Sequence, residues 1–360
     1  MTIDFALSAD QEVIKDLFSG FLANECRSDV VRAAEPLGFD PELWEKLGAL
    51  GAYNMGTNEE VGGGGASLAD LAVVAEELGR AAAPVPLVEH LVATRALGAS
   101  EPDMLDDSTI ATVALHPMAS GAVWRLVPAG AVAGVVVGRA GDSTIAVRSS
   151  PPKSGPRNHA SLPIADRSAT GDEVRAVGGI DTWAAAITEW KVLTAAALVG
   201  ISNRAVELAV DYAKERHQFG RPIAAFQAVQ HGLADLPGLI DGARLLVHKA
   251  AWAHDQIGRH EPPPTEAVTG DDLADDSLSA PALALMAFIF ASDVASTVTD
   301  RALHYHGGFG YAAESDIQLY YRRARGWPLI FDSVQNECAR LADELFGPAS
   351  DSRVPGMHGG

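Results

Sequence analysis

The sequence predicts a mainly α, α+β protein with an N-terminal helical domain, a small middle β domain and a C-terminal four-helix bundle. Apolar residues recur at helical spacing through residues 1–105 and again through 181–348. Between them, residues 106–180 carry short runs of β-branched residues separated by glycine, proline and serine. A chain of 360 residues is too long for one simple core, so these three zones are predicted to fold as packed domains.

Composition narrows the classes of partner. Apolar residues make up 48% and charged residues 21% of the chain, as in ordinary globular proteins. The formal net charge of −20 argues against a nucleic acid or an anionic membrane surface, because both require clustered Lys and Arg. The two cysteines, Cys26 and Cys338, cannot build a disulfide framework and suggest no metal site, which favours a reducing cytoplasm. No export signal is evident, and the apolar stretch 280–294 is too short to span a membrane.

The N-terminal domain is predicted to begin with a helix capped by Ser8, followed by helices over 41–50 and 68–80. A glycine-rich segment, 56–67, separates the last two. It is either a flexible turn or a phosphate cradle, and the turn is favoured because no lysine follows the glycines as a P-loop requires.

The remaining elements follow from β-rich runs and helical periodicity. Strands are predicted within 109–115, 122–127, 132–138 and 144–148. Four helices are predicted to form the bundle. The first covers 183–218, the second 226–254 with a kink or break at Pro237, and the third 280–304. The segments 315–325 and 333–345 together supply the fourth. The Pro- and acid-rich connector 261–276 is expected to be mobile and the tail 349–360 to be disordered.

A cation, an aromatic ring and a helix stop follow one another where the long helix ends. Residues 212–230 read Tyr-Ala-Lys-Glu-Arg-His-Gln-Phe-Gly-Arg-Pro-Ile-Ala-Ala-Phe-Gln-Ala-Val-Gln. This stretch closely resembles the signature of the acyl-CoA dehydrogenase family, whose members oxidise acyl thioesters with FAD. The resemblance implies that Arg216, Phe219 and Gln227 hold the dinucleotide end of an FAD belonging to a neighbouring subunit. The alternative for Arg216 is a solvated pair with Glu215 at a helix end.

A second stretch, 303–311, reads Leu-His-Tyr-His-Gly-Gly-Phe-Gly-Tyr and resembles the family's Gln-x-x-Gly-Gly turn. The resemblance implies that Gly307 and Gly308 let the backbone approach the flavin pyrophosphate closely, with N–H groups as donors. His304 stands where glutamine is common and can still donate one hydrogen bond. A metal site formed by His304 and His306 is disfavoured, because residues two apart on a helix point to different sides.

Acyl-CoA dehydrogenation needs a carboxylate that removes the α proton while a hydride leaves for the flavin. The resemblance implies two possible positions for this glutamate. The first falls at 331–333, which reads Phe-Asp-Ser, so that only the neighbouring Asp332 is acidic. The second, thirty residues before Phe219, is Glu189, although Trp190 follows it where the family usually has a CoA-holding arginine. Glu189 is therefore the candidate base, and the alternative is a glutamate exposed on a helix turn.

The spacing along the long helix bears on assembly. Glu189 and Arg216 are 27 residues apart, which is about 40 Å along a straight helix. One extended FAD cannot easily span both, so one helix would serve two active sites and at least a dimer is required. The flavin is thus expected to lie across a subunit interface.

The middle region departs from the family. Catalytic members carry a Thr-Glu-Pro-x-Ala-Gly-Ser-Asp type loop and a Trp-Ile-Thr-Asn-Gly type strand that contact the flavin ring and substrate, and neither occurs between residues 106 and 178. Three interpretations stay open: a self-sufficient FAD enzyme with Glu189 as base, a subunit that completes a partner's flavin site, and a helical scaffold without flavin. The losses favour the second interpretation.

The favoured interpretation resembles the shorter subunit of heteromeric α2β2 dehydrogenases of actinobacteria, which act on sterol side chains and other bulky acyl-CoAs. It implies an acyl-CoA substrate and a homo- or hetero-oligomer, a dimer of dimers, with another acyl-CoA dehydrogenase subunit. The electron acceptor would be an electron-transferring flavoprotein or oxygen.

Overall fold

A computed structural model of the chain describes residues 5–35, 37–98, 102–106, 109–152, 154–257 and 278–347. The connector 261–276 and the tail 349–360, for which mobility and disorder are predicted, lie outside these ranges. Within them, helices at both ends of the chain enclose a small sheet region. The predicted fold class is confirmed.

In the residues that the structure describes, five α-helices form the N-terminal part: α1 (Ala9–Glu25), α2 (Ser28–Ala33), α3 (Pro41–Ala49), α4 (Leu68–Arg80) and α5 (Leu87–Leu97). Ser8 caps α1 as predicted, in a capping box completed by Gln11. The sequence did not reveal α2, which is only six residues long, or α5. Seven of the eleven residues of α5 are buried, so its pattern lacks the polar face that makes a helix recognisable.

The described residues of the middle part contain six strands: β1 (Ala111–Val113), β2 (Val123–Val127), β3 (Val135–Ala140), β4 (Ser143–Arg148), β5 (Ala165–Ser168) and β6 (Glu173–Gly179). One sheet has the order β1-β3-β4-β6, and β2 pairs with β5 in a second. The first four strands match the predicted runs, whereas β5 and β6 were missed because they carry charged residues. One of these, Arg167, is buried and donates hydrogen bonds to the carbonyl oxygens of Gly130, Ala133 and Ser149.

The C-terminal bundle contains α6 (Ile180–Glu215), α7 (Gln227–Ala234), α8 (Leu236–Asp255), α9 (Ala280–His306), α10 (Ile317–Leu329) and α11 (Val334–Phe346). The long helix α6 has the predicted length of 36 residues but begins three residues earlier than predicted. The chain breaks between α7 and α8 at Asp235, so that Pro237 lies in the first turn of α8, where a missing N–H costs little.

Helix α6 connects the N-terminal helices to the bundle by backbone contact with α4. A Cβ atom at Gly79 would overlap the carbonyl oxygen of Ala197, and one at Gly200 would overlap that of Glu76. Only glycine permits this approach of two helices at both positions. The polar side chains near the start of α6 are therefore held at a fixed place against the N-terminal domain.

By length and composition alone, two helical stretches of the described chain are apolar enough to cross a membrane. They are Ile180–Glu215 and Ala280–Tyr311, and their most apolar windows are 83% and 67% buried inside the protein. The central helices of a helical bundle are buried in the same way, so the apolar composition of these two stretches is only weak evidence for a membrane span.

His90 joins α5 to the sheet and makes folding sensitive to pH. The N–H of Ala111 donates to Nδ1 of this buried ring at 3.1 Å. Burial lowers the pKa of His90 from 6.5 to about 4. Between these values the unfolded chain binds more protons than the folded chain, so the free energy of unfolding falls as the pH drops.

We expect this histidine to reduce the free energy of unfolding by about 2 kcal/mol between about pH 7 and pH 5. The variant His90→Asn keeps an acceptor for the Ala111 N–H but cannot titrate. In urea titrations, its loss of stability over the same pH interval should be smaller by that amount. Equal losses in the two proteins would show that His90 is not a buried, neutral group.

Candidate functional site

The turn that ends α6 has an unusual backbone. Arg216 leaves the helix in an extended conformation, and 217–218 pair with 221–222 in a two-residue hairpin. Both central residues have positive φ, +52° at Phe219 and +79° at Gly220. A large side chain pays a steric cost in this region. Yet the Phe219 side chain is 92% exposed, so packing within its own chain does not explain the strain.

The two family-like motifs meet at an open cleft of about 600 Å³. The residues that line it include Tyr212, Glu215, Arg216, Ile223, Gly307, Gly308 and Phe309. Three of the six predicted cofactor residues, Arg216, Gly307 and Gly308, are therefore brought together. The other three, Phe219, Gln227 and His304, are exposed but do not line this cleft.

Arg216 offers a positive charge, and the two glycines offer space, to a ligand that enters the cleft. Arg216 is exposed and forms no ion pair with any residue in the described ranges, so the solvated pair with Glu215 is absent. Gly307 has φ of +60°, and a Cβ at Gly307 or Gly308 would meet nothing within 4 Å. The backbone here can thus be approached closely by an anion, and an unpaired guanidinium is available to bind it.

An aromatic face adjoins this cation, and the sequence interpretation missed it. The ring of Tyr212 stacks on His306 with centroids 4.5 Å apart and lies parallel to the ring of Phe309 at 6.3 Å. His306 Nδ1 is 2.8 Å from the Ala302 carbonyl oxygen and donates to it, while burial lowers the pKa of the ring. Tyr212 lies one helical turn before Arg216, and this spacing was the available signal.

The cleft fits the nucleotide end of FAD on these observations. A planar aromatic face, an unpaired cation and a backbone without side chains are the groups that a stacked base and a pyrophosphate require. All of these groups line the same open cleft.

Glu189, the candidate base, lies elsewhere and is held in an ion pair. Its side chain is only 9% exposed, so the alternative of a solvent-exposed glutamate is wrong. Nε and Nη2 of Arg95 each donate to one of its carboxylate oxygens at 3.0 Å, and His254 Nε2 lies 3.5 Å from Oε1. The guanidinium engages both carboxylate oxygens and so competes with a substrate proton for them.

The partners of Glu189 connect three parts of the fold. Arg95 also donates to the carbonyl oxygens of Gly56 and Ala66 at the two ends of the glycine-rich segment. Asp255, next to His254, accepts from the backbone N–H groups of Leu68 and Ala69 and so caps α4. This network is an architectural connection between α4, α5, α6 and α8.

Asp332, the acid beside the second possible base position, is also engaged. Its carboxylate accepts from Asn336 Nδ2, from the Ser333 N–H and from Arg340 Nη2, each at 2.7 Å. The hydrogen bonds from Asn336 and Ser333 lower the pKa of this carboxyl further. A base of this chemistry should instead have its pKa raised toward neutrality.

One further carboxyl, Glu89, lines a closed cavity beside Trp190. Burial raises the pKa of Glu89, although its side chain keeps some contact with solvent. The cavity has a volume of about 50 Å³, which holds a few water molecules but no acyl group.

No group of three or more His, Cys, Asp or Glu side chains among the residues placed by the structure is arranged to hold a metal ion. His304 is exposed whereas His306 is buried under Tyr212, in keeping with the different directions expected from their spacing.

Comparison with known proteins identifies the class. The profile of the acyl-CoA dehydrogenase N-terminal domain matches residues 8–100, and that of the C-terminal domain matches residues 178–330. The chain belongs to the acyl-CoA dehydrogenase family. Neither profile covers residues 101–177, the region in which the family's flavin-ring motifs are missing.

Individual relatives show to which members of the family the chain is similar. Acyl-CoA dehydrogenase IpdE2 of Mycolicibacterium smegmatis is 33% identical over 353 residues, which are 94% of this chain and 100% of that protein. The solved structure of the Tcur3481–Tcur3483 steroid ACAD is 25% identical with a TM-score of 0.77, over 93% of this chain and 97% of that one. The ChsE4–ChsE5 complex from Mycobacterium tuberculosis has a TM-score of 0.81 at 23% identity, over 95% and 99%, and shows the fold alone.

Proposed function

We propose that this chain is one subunit of an oligomeric acyl-CoA dehydrogenase, in which it binds the nucleotide end of an FAD shared with a second acyl-CoA dehydrogenase subunit. The FAD would accept the hydride that leaves the acyl group. The residues of this chain hold and orient the nucleotide end, with Arg216 on the pyrophosphate and Tyr212 beside the base.

The observation that carries this proposal is the contrast between the two ends of α6. At its C-terminal end, the cation Arg216 has no ion-pair partner in the described chain and adjoins an open cleft. Near its N-terminal end, the candidate base Glu189 is buried and already paired with Arg95. A chain built this way has a site for a partner's cofactor and no free base of its own at this position.

Exposed aromatic side chains support an assembly at this end of the bundle. Phe219, Phe309 and Tyr311 are 92%, 54% and 72% exposed, and they belong to the two segments that form or flank the cleft. Exposed rings grouped in this way are typical of surfaces that another protein covers. A second subunit that covers them would also enclose a nucleotide in the cleft.

The substrate class of the proposal is a bulky acyl-CoA, with lipid or sterol side-chain breakdown as the setting. It is supported by the 33% identity to IpdE2 and by the likeness to a structure described as a steroid ACAD. The second subunit would provide the base and the flavin-ring contacts. An electron-transferring flavoprotein is the proposed electron acceptor.

The visible spectrum tests this proposal. The chain expressed alone should be colourless, and it should gain flavin absorption when it is co-expressed with the second acyl-CoA dehydrogenase subunit of its source. A yellow protein from the chain alone, active on acyl-CoA, would instead establish the self-sufficient enzyme with Glu189 as base. A complex that stays colourless would leave only a scaffold without flavin.

A further inference from the structure

A groove in the N-terminal domain, well separated along the chain from the cleft at Arg216, has the features of a binding site. It has a volume of about 1000 Å³ and is lined by α3, by buried side chains of the middle and end of α5 and by the glycine-rich segment. The function proposed above gives this segment no role beyond a turn. We call this space the N-terminal groove; its lining includes Trp44, Tyr53, Thr57, Gly63 and His90.

Unpartnered polar atoms are concentrated in the N-terminal groove. Among the described residues, four buried side-chain nitrogen or oxygen atoms lack a hydrogen-bond partner. Three of them, Trp44 Nε1, Thr57 Oγ1 and His90 Nε2, belong to side chains that line this one groove. Buried polar groups are nearly always paired, so three unpaired atoms in one place indicate a missing partner.

The chemistry of these atoms defines what the partner must offer. Because the Ala111 N–H donates to Nδ1 of His90, and because burial keeps the ring neutral, the ring proton lies on Nε2. Nε2 of His90 and Nε1 of Trp44 are thus both N–H donors, and the Thr57 hydroxyl can be a third. The partner must therefore present a hydrogen-bond acceptor.

The walls of the groove favour a flat apolar body. The ring of Trp44 stacks on Tyr53 with centroids 4.3 Å apart and meets the edge of His90 at 5.2 Å. Tyr53 donates its hydroxyl to the Trp44 carbonyl oxygen, so that hydroxyl is already used. Leu97 and Ile110 extend the apolar lining. Ring systems pack well against such aromatic surfaces.

The charge of the groove excludes anions. The charged side chains that line it, among the residues placed by the structure, are Glu45 and Asp106, and both are acidic. A carboxylate, a phosphate or a CoA ester would be repelled there. We propose that the N-terminal groove binds a neutral ring compound through a carbonyl oxygen that accepts hydrogen bonds from Trp44 and His90, with the Thr57 hydroxyl as the third donor.

The three unpartnered atoms have almost no contact with solvent, so a ligand reaches them only when the lining moves. Gly62 has φ of +85° and open space around it, whereas Gly63 and Gly64 pack closely against Thr57 and Met55. A carbonyl oxygen that enters there is held in a site without bulk water. In a dry site each hydrogen bond is stronger than in water.

Three probes of nearly the same ring size test the site: α-tetralone, tetralin, which lacks the carbonyl, and the tetralin carboxylate anion. Fluorotryptophan in place of the six tryptophans gives ¹⁹F NMR signals, and Trp44→Phe assigns the signal of Trp44. We expect α-tetralone to shift that signal and to bind about tenfold more tightly than either other probe. Binding does not depend on FAD or on a second subunit, so it is independent of the proposed function.

Variants separate this site from non-specific binding. Trp44→Phe and the isosteric Thr57→Val should each weaken α-tetralone binding. If Trp44→Phe folds poorly, Thr57→Val still tests the site. Trp190→Phe removes the fourth unpartnered atom, which lies outside the groove, and should leave the affinity unchanged. Equal binding of α-tetralone and tetralin, tighter binding of the carboxylate, or a Trp44 signal that α-tetralone does not move would each overturn the proposal.

Discussion

Replacing Arg216 with alanine is expected to release FAD from the assembled enzyme. The guanidinium is the one cation that the long helix places in the cleft beside Gly307 and Gly308, and it has no competing ion-pair partner in the described chain. A charge-assisted hydrogen bond to phosphate contributes about 1.5–3 kcal/mol, so FAD affinity should fall about 10- to 150-fold. The flavin-to-protein ratio after gel filtration, followed by titration with FAD, measures the loss.

The matched control is Lys214→Ala. Lys214 is an exposed cation at the end of the same helix, 4.0 Å from Asp211, and it does not line the cleft. Its removal changes the net charge by the same amount and should leave flavin occupancy unchanged. If Arg216→Ala retains as much flavin as Lys214→Ala, the nucleotide end of FAD is not bound at this turn.

Replacing Glu189 is expected to cost stability rather than catalysis. Glu189→Ala leaves the Arg95 guanidinium, only 20% exposed, without its carboxylate. Breaking a buried pair in this way costs about 3 kcal/mol of unfolding free energy. Chemical denaturation of the variant should show this loss.

Turnover of the assembled enzyme supplies the second readout for the same residue. Glu189→Gln keeps an acceptor for Arg95 and should change kcat by less than about threefold, whereas loss of a working base costs about 10²- to 10⁴-fold. Glu60→Ala, at an exposed carboxylate of the glycine-rich segment, is the control for charge and should change neither kcat nor the free energy of unfolding. A collapse of kcat in Glu189→Gln, with flavin still bound, would assign the base to this chain.

Local signals predicted much of this molecule. The length of α6 followed from an apolar pattern that ends at a cation, an aromatic ring and a glycine, and the signature around Arg216 led directly to the cleft. Ser8 and Pro237 lie where cap and breaker chemistry place them. These features depend on residues within one or two helical turns of each other, and such local relations can be seen directly in the sequence.

Partners that lie far apart along the chain could not be predicted. Arg95 and Glu189 are 94 residues apart, and nothing near either residue indicates that they pair. The Tyr212–His306 stack and the α4–α6 contact at Gly79 also join residues that lie far apart along the chain. The strand β5 was missed because its Arg167 is buried by donating to backbone carbonyl oxygens rather than by pairing with an acid. Whether a charged residue is buried depends on the tertiary structure, so a prediction from the local sequence pattern wrongly places such a residue on the surface.

The central claim is that one flavin joins two chains, and an experimental structure of the assembly with FAD bound tests it most directly. The adenine and pyrophosphate should lie in the cleft formed by Tyr212, Arg216 and Gly308 of this chain, while the flavin ring contacts the second subunit. An FAD enclosed by a single chain, or a cleft at Arg216 that faces bulk solvent with no subunit opposite, would contradict the account.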